Sequence, residues 1–531
     1  MKLQSTRDIG IRHFGLVIGC TVLLSGCFDT VNELASPACA GTEQSASRLF
    51  LQQLSDSGAL VRWRGEADVL CFGTRPNALD TRVPSIEEGG HREARLTGLR
   101  PDTVYYYSIG GAPTAPPAQH FRTAPSTGEL PADGNTRVLL LGDSGTAGQE
   151  LARGKAREET AAVAVKTGIS RFLQSRGDEE PIDLLLLLGD NAYSDGSDDQ
   201  WQKSFFEIYG DFTRTVATWP TIGNHEMGKG ETNICNFMPL PACASGPVLK
   251  PISGASESAD PASYDSNGDG PDAGGMPYLS LFNLPSRAEL GGVPSGTEQY
   301  YAFDHANLHV VSLDSQLSNR DPLQRATMRQ WLVDDLTANT RDWTIVIFHH
   351  PPYSKGVHHD SDEEQPEIDM RESFGPLFEA HGVDMVFSGH AHSYERSWYL
   401  HGHQGKSATF DPATHAELNA AGEPAIGQDE ETYRQISPAS GKDDKVVYTV
   451  TGSAGQADPE NPCKPGYTLL CTREDWLTHP AHRRFEPGPE DYHSHGIARL
   501  GSVLLDVGKN TLTSRFIDTH GEVLDWFTIT R

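Results

Sequence analysis

The apolar run Leu184-Leu185-Leu186-Leu187-Leu188 passes directly into Gly189-Asp190-Asn191-Ala192-Tyr193, which sets a carboxylate, an amide and a phenol within four residues. The two oxygens of Asp190 can bridge two cations while Tyr193 reaches one of them. Taken alone, Gly-Asp-Asn is ordinary turn chemistry. The same grammar recurs, however. Arg137-Val138-Leu139-Leu140-Leu141 leads into Gly142-Asp143-Ser144-Gly145, and Pro220-Thr221-Ile222 into Gly223-Asn224-His225-Glu226. Further along, Trp343-Thr344-Ile345-Val346-Ile347-Phe348 leads into His349-His350-Pro351-Pro352, and Asp384-Met385-Val386-Phe387 into Ser388-Gly389-His390-Ala391-His392. Five apolar runs thus deliver five clusters of oxygen and imidazole donors, the side chains that hold divalent and trivalent metal ions.

Such donors need elements that bring them together. Runs that are apolar at every position predict strands buried on both faces, as in a parallel or mixed sheet covered by helices. In such sheets ligands gather beyond the carboxyl ends of the strands, where all five clusters fall. Helical patterns near 158–173, 200–209, 323–336 and 367–380, with a further strand at 308–314, alternate with these runs and predict layered α/β construction. Ahead of them, short alternating segments at 49–54, 59–64, 93–101 and 103–108 predict an all-β sandwich with no catalytic spacing of its own. A Ser/Gly/Pro-bearing linker marks the boundary, giving a sandwich over 47–126 and a catalytic domain over 127–531. Segments 229–295 and 401–443, rich in Gly, Pro, Ser and Asp, read as surface insertions. Asp265-Ser266-Asn267-Gly268-Asp269-Gly270 begins like a calcium loop, but its twelfth position is Met276 where a glutamate is needed, so a solvated turn is expected. The end of the chain, from Gly496 to Ile529, reads as closing strands.

At 531 residues the chain is too long for one ordinary core. Its net charge of −29 argues against nucleic acid or an anionic membrane surface as a structural partner. Screening still admits a phosphate substrate where bound cations set the local field. Lys2, Arg7 and Arg12 precede a short apolar run from Phe14 to Leu24, followed by Leu24-Ser25-Gly26-Cys27. That run is too short to span a bilayer, and the pattern reads as a secretory signal. The last four residues resemble a bacterial lipobox. Residues 1–27 are thus expected to be a signal ending at Cys27, whose lipid would tether the protein to a membrane through a 28–46 linker; a plain signal peptide is the other reading. Six cysteines remain and leave the connectivity open in principle. Cys235/Cys243 and Cys463/Cys471 are each eight residues apart, which favours those two local loops plus Cys39/Cys71. Oligomeric state is left open.

Read together, Gly-Asp-x-Gly, Gly-Asp-x-x-Tyr, Gly-Asn-His-Glu, Val-x-x-His and Gly-His-x-His, in that order, resemble the metallophosphoesterase superfamily. Within it the tyrosine resembles the purple acid phosphatase family. The run Leu96-x-x-Leu99-x-Pro101-x-Thr103-x-Tyr105-x-Tyr107 resembles a fibronectin type III module in front of it. The resemblance implies a layered α/β metallophosphoesterase domain preceded by an all-β sandwich. It implies that Asp143, Tyr193 and His392 bind one metal, that Asn224, His349 and His390 bind a second, and that Asp190 bridges both. A carboxylate and a phenolate suit ferric iron; imidazoles and an amide suit a divalent zinc, manganese or iron. His225, His358 and His359 are implied to face the substrate, neutralising phosphate oxygens and protonating the departing alkoxide while a metal-bridging hydroxide attacks phosphorus. His349 and His350 are adjacent, and the Val346-x-x-His349 register selects His349. Glu395 and Arg396 read as structural support. The expected substrate is a phosphate monoester. A phosphodiesterase of the same superfamily, or a surface binding module with a vestigial hydrolase, are the alternatives.

Overall fold

A computed structural model describes residues 39–177, 182–193, 196–227, 276–356, 359–435, 445–457, 476–485 and 492–531. The signal and Cys27, the Cys235/Cys243 and Cys463/Cys471 pairs, the Asp265–Gly270 stretch and His358 lie outside these residues.

The apolar runs are strands. Thr136–Leu141, Leu184–Leu187, Trp343–Ile347 and Met385–Ser388 are buried along their whole length. They sit in two sheets, of eleven and eight strands. In the first, Thr136–Leu141, Leu184–Leu187 and Ala217–Pro220 lie side by side and parallel. In the second, Leu308–Ser312, Trp343–Ile347, Met385–Ser388 and Val447–Thr451 do the same. Alternation along a strand explains why apolar residues are needed on both faces. Trp343, Ile345 and Ile347 join the core shared with Leu139, Leu186 and Leu505 of the first sheet. Val346 and Phe348 pack instead on Met328, Trp331, Phe374 and Phe378 from the helical segments 322–338 and 365–381. Each fully buried leucine or isoleucine contributes about 1.5–3 kcal/mol.

Element ends follow local chemistry. Pro322–Ala338 starts where the Asp321 carboxylate accepts the amides of Leu323 and Gln324, both at 2.9 Å, with proline in the first turn. The expected run Pro220–Ile222 is the exit of a strand, not the strand itself. The strand is Ala217–Pro220, with Pro220 opposite Leu187 at its end, where a missing N–H costs least.

Residues 47–122 form short strands in two groups that share buried Trp63, Leu70 and Tyr107. Cys39 and Cys71 form a disulfide, as expected. The boundary placed at 126/127 is crossed in space. Strand Ser47–Gln52 pairs in parallel with Ala217–Pro220 at Leu51 and Ala217, so four N-terminal strands extend the eleven-stranded sheet. Two expected insertions also end inside the fold. Tyr278 and Leu281 are fully buried, and the Tyr278 hydroxyl donates to the Pro220 carbonyl at 2.9 Å. Tyr433–Arg434 pairs with the closing strand Val523–Thr530. Glycine and proline content signalled loops there, but the apolar residues between them decided burial.

Candidate metal centre

Strand register brings the donors to one level. Leu141 lies opposite Leu187, and Leu187 opposite Pro220, so Asp143, Asp190 and Asn224 leave the first sheet together. Ile347 lies opposite Phe387, so His349 and His390 leave the second sheet likewise. The turns that follow are tight. Asp143 (φ 55°), Asp190 (φ 55°) and His390 (φ 71°) adopt the left-handed backbone that side chains disfavour by about 1–2 kcal/mol. Three of the ten non-glycine residues with positive φ among the described residues are therefore expected ligands, so backbone strain concentrates at this point. The motif glycines have a steric reason. A Cβ on Gly223 would lie 2.3 Å from Asp190 Oδ1, and one on Gly389 2.4 Å from Asp143 Oδ2.

All seven expected ligands converge. The Tyr193 hydroxyl lies 3.0 Å from Asp143 Oδ1, 3.1 Å from Asp190 Oδ2 and 3.4 Å from His392 Nε2. Beside this group, Asn224 Oδ1 lies 2.9 Å from His349 Nε2 and 3.0 Å from His390 Nδ1, and those two nitrogens are 3.2 Å apart. Asp190 Oδ2 is 3.4 Å from His349 Nε2, so one carboxylate oxygen adjoins both groups. Asp143 and Asp190 are buried. Burial works against the charge on Asp190, yet the His349 and His225 imidazoles hold it far below the usual carboxylate range.

The donor set suits two cations. His349 Nδ1 meets the Leu188 carbonyl at 2.8 Å, and His390 Nε2 meets Glu364 Oε2 at 3.2 Å. With protons on those outer nitrogens, His349 Nε2, His390 Nδ1 and Asn224 Oδ1 turn three lone pairs on one point, which calls for a positive charge. Despite burial, Asp190 and Asp143 raise His349 to about 9, so the carboxylates at this point favour a positive charge beside them.

The remaining residues support or flank this centre. Glu226 accepts the amides of Asp190 (2.9 Å), Asn191 (2.8 Å) and Gly223 (2.8 Å), fastening the Asp190 turn to the Asn224 turn; burial and the neighbouring Asp190 charge push it up to about 7. His350 turns aside. Its Nδ1 pairs with Ser315 Oγ at 2.9 Å, and Ser315 also accepts the His349 and His350 amides. His225 places Nε2 3.8 Å from Asp190 Oδ2 and its ring 4.2 Å from that of Tyr193. His359 is half-buried, with Nδ1 2.9 Å from Glu364 Oε1 and its ring 3.7 Å from that of His390. Glu395 takes the Ser354 and Ser393 hydroxyls, and Arg396 pairs with buried Asp525 at 2.8 Å, both away from the donors.

Three participants escaped the sequence reading. Glu364 closes the acidic stretch 360–364 and belongs to no motif, yet its carboxylate contacts both His359 and His390. Gln456 places Nε2 2.7 Å from His392 Nε2 and belongs to no motif. Ser315 follows a strand whose exit carries Asp314, itself occupied in capping Gln316, Leu317 and Ser318. Glu226, by contrast, lay inside the Gly-Asn-His-Glu motif.

Residues 136–394 match the family described as calcineurin-like phosphoesterase. Fold, site and match together define the class: the chain carries a calcineurin-like phosphoesterase domain. Within that class its homologues include purple acid phosphatases. Purple acid phosphatase 15 of Arabidopsis thaliana is 26% identical over 316 residues, covering 57% of this chain and 48% of that protein. A phosphoenolpyruvate phosphatase of Allium cepa is 24% identical over 357 residues, covering 63% and 58%. The chain thus spans about half of the relatives' length. A solved purple acid phosphatase, PPD1 of yellow lupin (Lupinus luteus), shares the fold with a TM-score of 0.57 and 15% identity, covering 92% of this chain and 75% of that one.

Proposed function

We propose that this protein is an exported binuclear metal-dependent phosphatase that hydrolyses phosphate monoesters. One observation carries the reading: Asp190 Oδ2 lies 3.1 Å from the Tyr193 hydroxyl and 3.4 Å from His349 Nε2, between two groups of donors. Asp143, Tyr193 and His392 would hold ferric iron, Asn224, His349 and His390 a divalent zinc, manganese or iron, and Asp190 both. Bound there, the two ions would neutralise phosphoryl oxygens and acidify water.

The chain's own residues then orient and move protons. The Leu188 carbonyl and Glu364 engage the outer nitrogens of His349 and His390, which aims the inner nitrogens at the metal position. His225, half-buried beside Asp190, faces the departing group and protonates its oxygen, with His359 neutralising phosphate oxygens opposite. His358 is assigned the same role on its position in the sequence alone. The signal pattern ending at Cys27 supports export and a lipid tether at the outer membrane or periplasm, and the Cys39–Cys71 disulfide is in keeping with an oxidising compartment.

The test is elemental analysis of active protein together with rates on a monoester and a bis-ester of the same phenol. Two metals per chain, one of them iron, and faster monoester cleavage are expected. Protein holding no metal, or preferring the bis-ester, would refute the reading.

A further inference from the structure

No residue of the sandwich strands belongs to the donor cluster, yet a network runs from them to the segment that follows Tyr193. Arg48, on Ser47–Gln52, is buried and has left-handed backbone (φ 47°) beside a register shift in the strand. Its Nη1 donates to Asp198 Oδ1 at 2.6 Å, its Nη2 to Asp198 Oδ2 at 3.2 Å and to the Asp198 carbonyl at 2.9 Å. Its Nε donates to Gln202 Oε1 at 2.9 Å, and its guanidinium lies 4.8 Å over the Phe206 ring. Arg64, on the neighbouring strand, adds a fork: Nη1 to Asp198 Oδ2 at 2.8 Å and Nη2 to Oδ1 at 2.7 Å. Two paired guanidiniums hold Asp198 down to about 2 against the effect of its partial burial.

Asp198 lies five residues beyond Tyr193 and opens the helix Asp198–Trp201. Just before it, the Gly196 amide donates to the Ala192 carbonyl at 2.9 Å. A Cβ on Gly196 would sit 2.6 Å from Glu226 Cα, so this segment presses on the Asn224-His225-Glu226 turn. Glu226 in turn holds the amides of Asp190 and Gly223. The strand that bears Arg48 also pairs with Ala217–Pro220, whose exit leads to Asn224. One sandwich strand therefore grips both walls of the donor cluster.

We propose that Asp198 is a positioning residue, and that through Arg48 and Arg64 the sandwich holds Tyr193 and the Asn224 turn at the spacing the metals need. This rests on the metal-centre reading above. An all-β module with no chemistry of its own thereby becomes part of the site's support.

The test uses full-length protein: Asp198→Ala, Asp198→Glu and Arg64→Ala, with Arg122→Ala as control, since it removes an ion pair with Asp102 inside the same sandwich. Each is measured for metal loss to a chelator, kcat and KM on a monoester, amide exchange at Tyr193 and Gly196 in metal-free protein, and melting temperature. Asp198→Ala and Arg64→Ala are expected to lose metal at least tenfold faster, exchange those amides faster, and drop kcat at least fivefold with KM within twofold. Asp198→Glu restores part of each. Arg122→Ala lowers the melting temperature and leaves the rest unchanged. Wild-type metal retention and kcat in Asp198→Ala, or equal losses in Arg122→Ala, would overturn the proposal while the metal-centre reading stands. Wild-type protein without metal would overturn both.

Discussion

His309 offers a pH-dependent test of the scaffold behind His349. It lies on Leu308–Ser312, the strand beside Trp343–Ile347, with Nδ1 2.8 Å from Asp304 Oδ1 and Nε2 2.8 Å from Asp335 Oδ2. Those carboxylates come from the next strand and from the helix Pro322–Ala338, so one imidazole ties three elements together. Burial disfavours its charge, but the two carboxylates prevail and raise it from 6.5 to about 9. The folded state thus binds this proton more tightly than the unfolded chain. Its contribution is complete below pH ~6.5 and disappears as pH rises through about 9. At 1.36 kcal/mol per unit the group contributes about 3 kcal/mol at pH 6, about 2 at pH 7.5 and under about 1 at pH 9. His309→Gln can still donate a hydrogen bond but carries no charge. Urea unfolding of both proteins at those three pH values and low salt should show a stability gap that narrows along that series. A gap that stays constant, or widens with pH, would show that His309 is not a charged cross-link.

The other predictions concern the metal centre. Asp190→Asn keeps the side-chain volume and an oxygen for the His225 amide, but removes the charge shared by both donor groups. Metal content should fall below one ion per chain, and kcat by more than the roughly 10–100-fold that a supporting residue costs. Tyr193→Phe should abolish the visible absorption expected of phenolate on ferric iron and leave some hydrolysis; a colourless wild type with two divalent ions would overturn the ferric assignment. Glu364→Gln leaves one oxygen where two imidazole nitrogens were met. A loss of roughly 10–100-fold in metal affinity or kcat is expected from metal titration and steady-state rates, and unchanged values would leave the carboxylate without a role.

What the sequence determined by itself is local. A strand buried on both faces must be mostly apolar, and turns whose backbones nearly touch must use glycine, so Gly-Asp, Gly-Asn-His and Gly-His-x-His announced their places and their donors. The seven donors that converge were legible as candidates because each sits within a few residues of the strand that aims it. Tertiary structure decided which distant residues meet. Glu364 between His359 and His390, Gln456 at His392, Ser315 at His350, His309 between two aspartates and Asp198 under two sandwich arginines all join segments far apart in the chain. Such contacts depend on register between strands, as where Leu141 lies opposite Leu187 and Leu51 opposite Ala217. A shift of one residue would turn every side chain of a strand to the other face, and only the packed molecule sets that register. The sandwich looked like a separate module because its strands are local, and it joined the catalytic sheet because one of its edges found a partner strand.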